Sequence, residues 1–276
     1  MANVGLMQPL TVTRRARQGV YLDGDDLGEI LLPNRDADES LQPGDSVNVF
    51  IYHDSEDRLV ATTSKPLLLR GEVGMLKVVS VTRVGTFLDW GLPKDLLLPF
   101  AEQRGTPEEG RSLLVKVVQN HDGRLVASAN LDRHLADTAN CYQQGDEVRL
   151  VVAHQTELGY KVVVDGRYWG LLPLADVREP LRRGQRITGY IQRLRPDQRL
   201  SVSLHAPGAA RSDELGEKIL ARLQDHDGFL PLSDKSSPED IFAHFRVSKS
   251  AFKQSIGKLY KARRIVIDKD GIRLPS

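Results

Sequence analysis

From Arg246 to Arg264 the chain carries seven cations, Arg246, Lys249, Lys253, Lys258, Lys261, Arg263 and Arg264, and no acid. Lys and Arg side chains neutralise phosphate oxygens, so an uncompensated run of this kind is a candidate phosphate contact. The alternative is a solvated helix face, the common fate of a charge run. If the segment is helical, Lys249, Lys253 and Lys261 fall near one face, opposite Phe252, Ile256 and Leu259. Gln254 is a lone candidate for contact with a base edge. A second chemistry sits earlier in the chain. Strand alternation puts Thr86, Leu88 and Trp90 on one side and Phe87 and Asp89 on the other. The same alternation puts Val20 and Leu22 inside and Tyr21 and Asp23 outside. An aromatic ring on a polar strand face offers a plane for stacking; otherwise it covers a sheet edge.

Catalytic constellations are missing. Gly257–Lys258 resembles the end of a phosphate-binding loop, but Phe252 stands where the upstream glycine is needed. Asp23 to Gly28 begins like a calcium loop, yet Leu27 and Asn34 occupy positions that need other oxygen ligands. The seven histidines are scattered. The expectation is no catalytic residue, no metal, no cofactor and no small-molecule substrate. Cys141 is the only cysteine, which excludes an internal disulfide and a Cys-based zinc site and suits a reducing cytosol. No apolar run approaches the roughly 20 residues of a membrane span. Met1 to Arg17 lacks the pattern of a secretory signal. A cytoplasmic protein without a membrane partner is expected.

A threefold repeat supplies the elements that must position these groups. Leu-Leu-Pro occurs at Leu31–Pro33, Leu97–Pro99 and Leu171–Pro173. Each is followed eleven residues later by a glycine, Gly44, Gly110 or Gly184, and then by an apolar run. Each run leads through a turn to Arg-Leu, at Arg58, Arg124 and Arg199. The runs are short and rich in Val, Ile and Leu, bounded by Gly, Asp and Asn, so each repeat reads as about five strands of a closed or partly closed OB-type barrel.

After a linker read at 207–210 the pattern becomes helical. Leu215, Ile219, Leu220 and Leu223 mark one helix, stopped at Asp227–Gly228. Ser237 reads as an N-cap with Pro238 in the first position, and Ser248 begins a third helix. Two apolar triplets flank Asp268 to Gly271 as a hairpin. Three helices closed by a hairpin form a winged helix-turn-helix. The expected boundaries are 1–66, 67–137, 138–207 and 208–276. Formal charge runs from −5 over residues 1–68, through zero over 69–138, to +3 over 139–207 and +3 over 208–276. This polarity suggests an oriented surface. The acidic first repeat should repel phosphate and either pack or bind protein.

Gly85-Thr86-Phe87-Leu88-Asp89-Trp90-Gly91 and Asp122-Gly123-Arg124-Leu125-Val126-Ala127-Ser128 resemble an S1 domain, as do Gly159 to Val162 and Tyr168 to Leu172. Gly228 to Glu239 and Ala251 to Tyr260 are similar to the C-terminal domain of the conserved virulence factor B family. The resemblance covers nearly the whole chain and is looser in the first repeat. It implies a bacterial, non-catalytic RNA-binding protein with three S1 domains and a winged helix. Single-stranded RNA is the implied partner, held by stacking on Phe87 and Tyr21, with Lys161 as the phosphate ligand of repeat three. Arg58, Arg124 and Arg199 match an RNA-contacting position of the S1 pattern, or are solvated turn arginines. The acid four residues earlier survives as Asp54 and becomes Asn120 and Arg195; Arg193 and Arg195 add charge to repeat three. Pro33, Pro99 and Pro173 replace a histidine common in S1 domains, and Trp169, of the same parity as Pro173, could restore stacking or lie in the core. The implied role is post-transcriptional gene regulation. The alternatives are a winged-helix transcription regulator that reads duplex DNA, and an adaptor docked on the ribosome or a nuclease.

Overall fold

The structure is a computed structural model and describes residues 2–177, 179–194, 197–206, 209–268 and 270–275, with backbone alone at 193, 194 and 209–214. Repeat one comprises β1 (Met7–Ala16), β2 (Gly19–Asp23), β3 (Glu29–Pro33), β4 (Ser46–His53) and β5 (Leu59–Thr62), closed in the order β1-β2-β3-β5-β4. Repeat two comprises β6 (Val73–Thr82), β7 (Gly85–Asp89), β8 (Leu96–Leu98), β9 (Ser112–Gln119) and β10 (Leu125–Ser128). Its sheet runs β10-β9-β6-β7-β8, and β8 lies beside β10 without a ladder between them. Repeat three comprises β11 (Glu147–Thr156), β12 (Gly159–Val164), β13 (Tyr168–Pro173), β14 (Arg186–Leu194) and β15 (Leu200–Ser203), again a closed barrel. These are barrels 1, 2 and 3.

Two devices recur and explain the shared shape. The long first strand of each barrel carries a register shift, between Val12 and Arg14, Val78 and Ser80, and Val152 and His154. Such a bulge bends the strand so that it can pair on both sides and close the sheet. The second strand begins with Gly19, Gly85 or Gly159, at φ of +155°, +143° and +152°. A Cβ there would come within 2.0, 2.7 or 2.2 Å of the carbonyl oxygen of Leu32, Leu98 or Leu172. Only glycine lets the second and third strands approach this closely.

The barrels share cores with one another. Trp90 packs edge-on against Phe50, with ring centroids 5.7 Å apart, and against Tyr52 at 6.4 Å. Its indole N–H donates to the Lys94 carbonyl, and the Lys94 ammonium donates to the Asp54 carbonyl at 2.6 Å. One apolar cluster therefore runs from β4 of barrel 1 into Leu76, Leu88 and Val115 of barrel 2. At the other junction Val73, Leu114, Leu131 and Leu135 of barrel 2 pack on Val151, Ala153, Val163 and Trp169 of barrel 3. The segment between β10 and β11 is fastened at both sides. Ala136 exchanges backbone hydrogen bonds with Arg167 and Trp169, each at 2.9 Å. Glu102 accepts from Ser128, from Arg133 at 3.1 Å and from His134 at 2.9 Å.

The C-terminal unit comprises α1 (Ala209–Gln224), β16 (Phe229–Leu230), α2 (Pro238–Phe245), α3 (Lys249–Lys261), β17 (Val266–Ile267) and β18 (Ile272–Arg273). Helix α1 begins inside the stretch read as a linker, of which Pro207 and Gly208 lie outside the described residues. The Gly228 N–H caps α1 by donating to the Leu223 carbonyl at 2.7 Å. Ser237 and Ser248 are the N-caps of α2 and α3, each accepting from a backbone N–H three residues on. The hairpin strands β17 and β18 pair as expected, and β16 adds a third strand on β18 that the sequence pattern did not reveal. The apolar core of this unit is built from its own residues.

Trp90→Ala is expected to cost about 3–5 kcal/mol by urea denaturation, the usual range for emptying a buried aromatic site. A loss below about 1 kcal/mol would show that barrels 1 and 2 do not share a core. The Glu102 clip should give an acid-side signature. Burial pushes this carboxyl up, but Ser128, His134 and Arg133 outweigh it and hold it below its ordinary 4.5. Its stabilisation is therefore complete above that value and is lost as the pH falls through the lowered folded one. Glu102→Gln is expected to cost about 2 kcal/mol at pH 7, where a charged acceptor is lost, and less at a pH below the ordinary carboxylate range. Equal destabilisation at both pH values would refute the clip.

Candidate nucleic-acid interface

In barrel 2, alternation along β7 is as the pattern requires: Thr86 and Leu88 are buried, Phe87 is half-buried on the outer side and Asp89 is exposed. Phe87 lies between Ser80 of β6 and Leu97 of β8 in register. Among the described residues no cation or second ring covers it. Phe100, in the 3-10 turn Phe100–Glu102 that leaves β8, is 56 % exposed and was missed from sequence. The signal was present, since it follows Pro99 of the Leu-Leu-Pro motif directly.

The matching position in barrel 1 is closed. The Arg14 guanidinium lies 3.8 Å from the centre of the Tyr21 ring, held there by Glu29 at 2.7 Å. That pairing holds the Glu29 carboxyl below its ordinary value. The Tyr21 hydroxyl accepts from Gln18 at 2.8 Å. Tyr21 therefore already has a planar cation on its face.

In barrel 3 the outward residue is Lys161, and its ammonium sits 3.9 Å above the Trp169 ring. It also pairs at 3.2 Å with Asp132, which Arg104 approaches at 2.8 Å. Lys161 and Trp169 are thus brought together, at the junction with barrel 2. Trp169 is 8 % exposed, with its indole N–H buried toward the junction. Parity placed Trp169 on the correct sheet face, but that face is covered by the neighbouring barrel.

The three turn arginines differ. Arg58 is held by Asp54 at 2.7 Å and Glu56 at 2.7 Å, and it borders a cleft with Pro33, Arg35 and Tyr52 of barrel 1 and Lys94 of barrel 2. Arg124, whose local acid is replaced by Asn120, reaches across to Asp57 of barrel 1. Arg199 is exposed, and its side chain makes no ion pair among the described residues. Arg193 is described through its backbone alone, opposite Ser201, and Arg195 lies outside the described residues.

The basic segment occupies α3 and the turn after it. Lys253, Lys258, Lys261, Arg263 and Arg264 are exposed and Lys249 is half-buried, while Phe252, Ile256 and Leu259 are buried beneath them. Arg264 is paired with Glu217 of α1 at 2.6 Å. Lys249, Lys253, Lys261 and Arg263 make no ion pair among the described residues. Tyr260 is 55 % exposed two turns beyond Lys253, so helical geometry lines it up with Lys249 and Lys253. The sequence reading passed over it because it attended to charge. Arrangement of α3 after α2, with a short hairpin following, is that of a helix presented to a groove. No helix among the described residues is long and apolar enough to cross a membrane.

Comparison with known proteins agrees with this architecture. A family model described as an S1 domain matches residues 4–64, the repeat with the looser motifs. A second, described as a CvfB-like winged helix domain, matches residues 217–274. The Staphylococcus saprophyticus protein named conserved virulence factor B is 28 % identical over 87 % of this chain and 82 % of its own. A crystal structure of a multidomain protein with nucleic acid binding domains from Streptococcus pneumoniae covers 99 % of each chain at 24 % identity and a TM-score of 0.40. The Bacillus subtilis protein YitL, described as uncharacterized, is 30 % identical over 95 % of this chain and 90 % of its own. With its S1 domain and CvfB-like winged helix, modules associated with nucleic-acid binding, the chain belongs to the family of YitL and conserved virulence factor B.

Proposed function

We propose that the chain is a non-catalytic, cytoplasmic binder of single-stranded RNA acting in post-transcriptional gene regulation, through the Phe87 face of barrel 2 and the cations of α3. Within it, 1–66, 67–137, 138–207 and 208–276 act as the four units. The observation that carries the reading is the contrast among the aromatics. Tyr21 is capped by Arg14 and Trp169 by Lys161, whereas Phe87 has an open ring on the outer side of β7. Bases stack on such a ring whatever their identity, and cations follow the backbone, so modest sequence preference is expected. Arg199 is the cation we assign to RNA in barrel 3, with Arg193 and Arg195 beside it in sequence. Arg58 serves its own turn first and Arg124 the barrel 1–2 junction.

A second reading, a duplex-DNA regulator working through the winged helix, is favoured by Lys249 and Lys253 on α3, which make no ion pair among the described residues. Fluorescence anisotropy with single-stranded RNA, the matching DNA strand and duplex DNA separates the two. RNA should bind best, and Phe87→Ala should weaken it by about 1–3 kcal/mol, the worth of one stacked base. Tyr21→Ala should leave it within about twofold, because that ring is already covered. Lys253→Ala should lower the slope of log affinity against log salt by about 0.7, one phosphate contact on a single strand. Tight duplex binding indifferent to Phe87 would establish the second reading. Negligible affinity for all three probes would point to an adaptor docked on the ribosome or a nuclease.

A further inference from the structure

Barrels 2 and 3 enclose between them a cleft of about 500 Å³, walled by β6, β9, β11 and β14 rather than by the strands that carry Phe87. Five cations face it: Arg70, Lys116, Arg149, Arg167 and Arg186. The carboxylates in its lining, Glu72 and Asp165, hydrogen-bond chiefly to uncharged donors. Glu72 accepts from the Leu69 N–H at 3.0 Å, and Asp165 accepts from the Arg149 backbone N–H and the Tyr142 hydroxyl, each at 2.9 Å. The Arg149 guanidinium forms only a long ion pair with Asp165, at 3.8 Å. Arg70 donates to the Gln119 amide oxygen at 2.8 Å, and the Lys116 ammonium to the His134 backbone carbonyl at 2.7 Å. Arg167 and Arg186 are exposed and make no ion pair among the described residues. Burial pushes the Lys116 ammonium down, and the charge of Arg167 pushes the same way.

Like charges gathered in a concave site raise the local potential and are relieved by an anion of matching size. The volume lies within the range of small-ligand sites, and Val73, Val151 and Ile187 give the cleft an apolar wall beside the cations. The spacing is set by backbone contact. Gly166 has φ +70°, and a Cβ there would stand 2.5 Å from the Gly71 carbonyl oxygen of the other barrel.

From this geometry we infer that the cleft between barrels 2 and 3 binds one phosphorylated nucleotide unit, its phosphates on Arg149, Arg167, Arg186 and Lys116 and its apolar surface on Val73, Val151 and Ile187. The shared chemistry is a nucleotide phosphate. It can be supplied by a free nucleoside triphosphate or by RNA, whose phosphates then enter between the barrels. The site uses none of the side chains assigned to RNA above, so it stands or falls separately.

The test titrates two probes, a mant-labelled guanosine triphosphate and a fluorescein-labelled oligouridylate with a 5′-phosphate, against the full chain. The variants are wild type, Phe87→Ala and the double substitution Arg167→Glu with Arg186→Glu. Neither arginine makes an ion pair among the described residues, so the double variant should keep its circular dichroism spectrum and urea midpoint, and Arg167→Gln with Arg186→Gln repeats the test without charge reversal. The expected result is at least a tenfold loss with the double variant for one probe or both, retained when Phe87→Ala is also present. Loss with the triphosphate identifies a free nucleotide as the source; loss with the oligouridylate alone identifies RNA. If neither probe distinguishes wild type from the double variant, the inference is overturned, and the effect of Phe87→Ala on the oligouridylate still decides the outer-face reading. Loss with both a phosphate-free acidic peptide and the nucleotide probes, in equal measure, would also overturn it by showing a general acid-binding patch.

Discussion

Trp90 lies edge-on to Phe50 and Tyr52 of the preceding barrel, and that packing governs what the rest of the molecule can present. An isolated barrel of this size would expose its outer β4 face to water. Here the face is buried as the continuation of the next barrel's core. The same happens at Trp169 one junction later. Large aromatic side chains contribute most when they are fully removed from water, so both tryptophans go to holding barrels together. The rings left accessible are smaller ones, Phe87 and Phe100.

Charge follows the same division. Arg124, Lys94 and Lys161 each bridge from one barrel toward another, to Asp57, the Asp54 carbonyl and Asp132. Asp132 shows the balance. Burial at the junction pushes its carboxyl up, yet Lys161 and Arg104 bring it below its ordinary value. A cation engaged in this way can reach a phosphate only by abandoning a partly desolvated acid, which is costly. Arg167, Arg186, Lys249, Lys253 and Lys261 leave no such debt, and they mark where a polyanion meets least resistance.

How much of this was legible in the sequence depends on the range of the interaction concerned. Leu-Leu-Pro, the following glycines and the Arg-Leu pairs located three barrels because each strand's alternation and each turn's backbone demand are local. Ser237 and Ser248 were readable as caps for the same reason. The outward placement of Phe87 and the inward placement of Leu88 came from period-two alternation alone. Alternation names the face of a sheet, however, and says nothing of what covers that face. This is why Lys161 and Trp169 looked like ligand contacts and emerged at a junction. It is also why the Arg14 cap on Tyr21, formed across the β1–β2 pair, and the added strand β16 were invisible. The basic cleft was hidden for a related reason: its five cations come from five separate segments between Arg70 and Arg186, and only the docking of two barrels assembles them.

The shared cores also bear on affinity. A surface made of barrels fixed against one another does not have to be ordered when a strand binds, so weak stacking and phosphate contacts add without a further entropic loss for aligning them. The winged helix is different, since its core is its own. On the proposed reading its cations would contribute through effective concentration. The charge gradient gives this arrangement a direction. Barrel 1, with formal charge −5 over residues 1–68, disfavours phosphate at one end, while the segments from 139 onward favour it. Because barrel 1 is locked to barrel 2 through Trp90, its acidity keeps a fixed position relative to barrel 2. On the proposed reading, a strand engaged on barrel 2 meets net basic charge only toward barrel 3 and the winged helix.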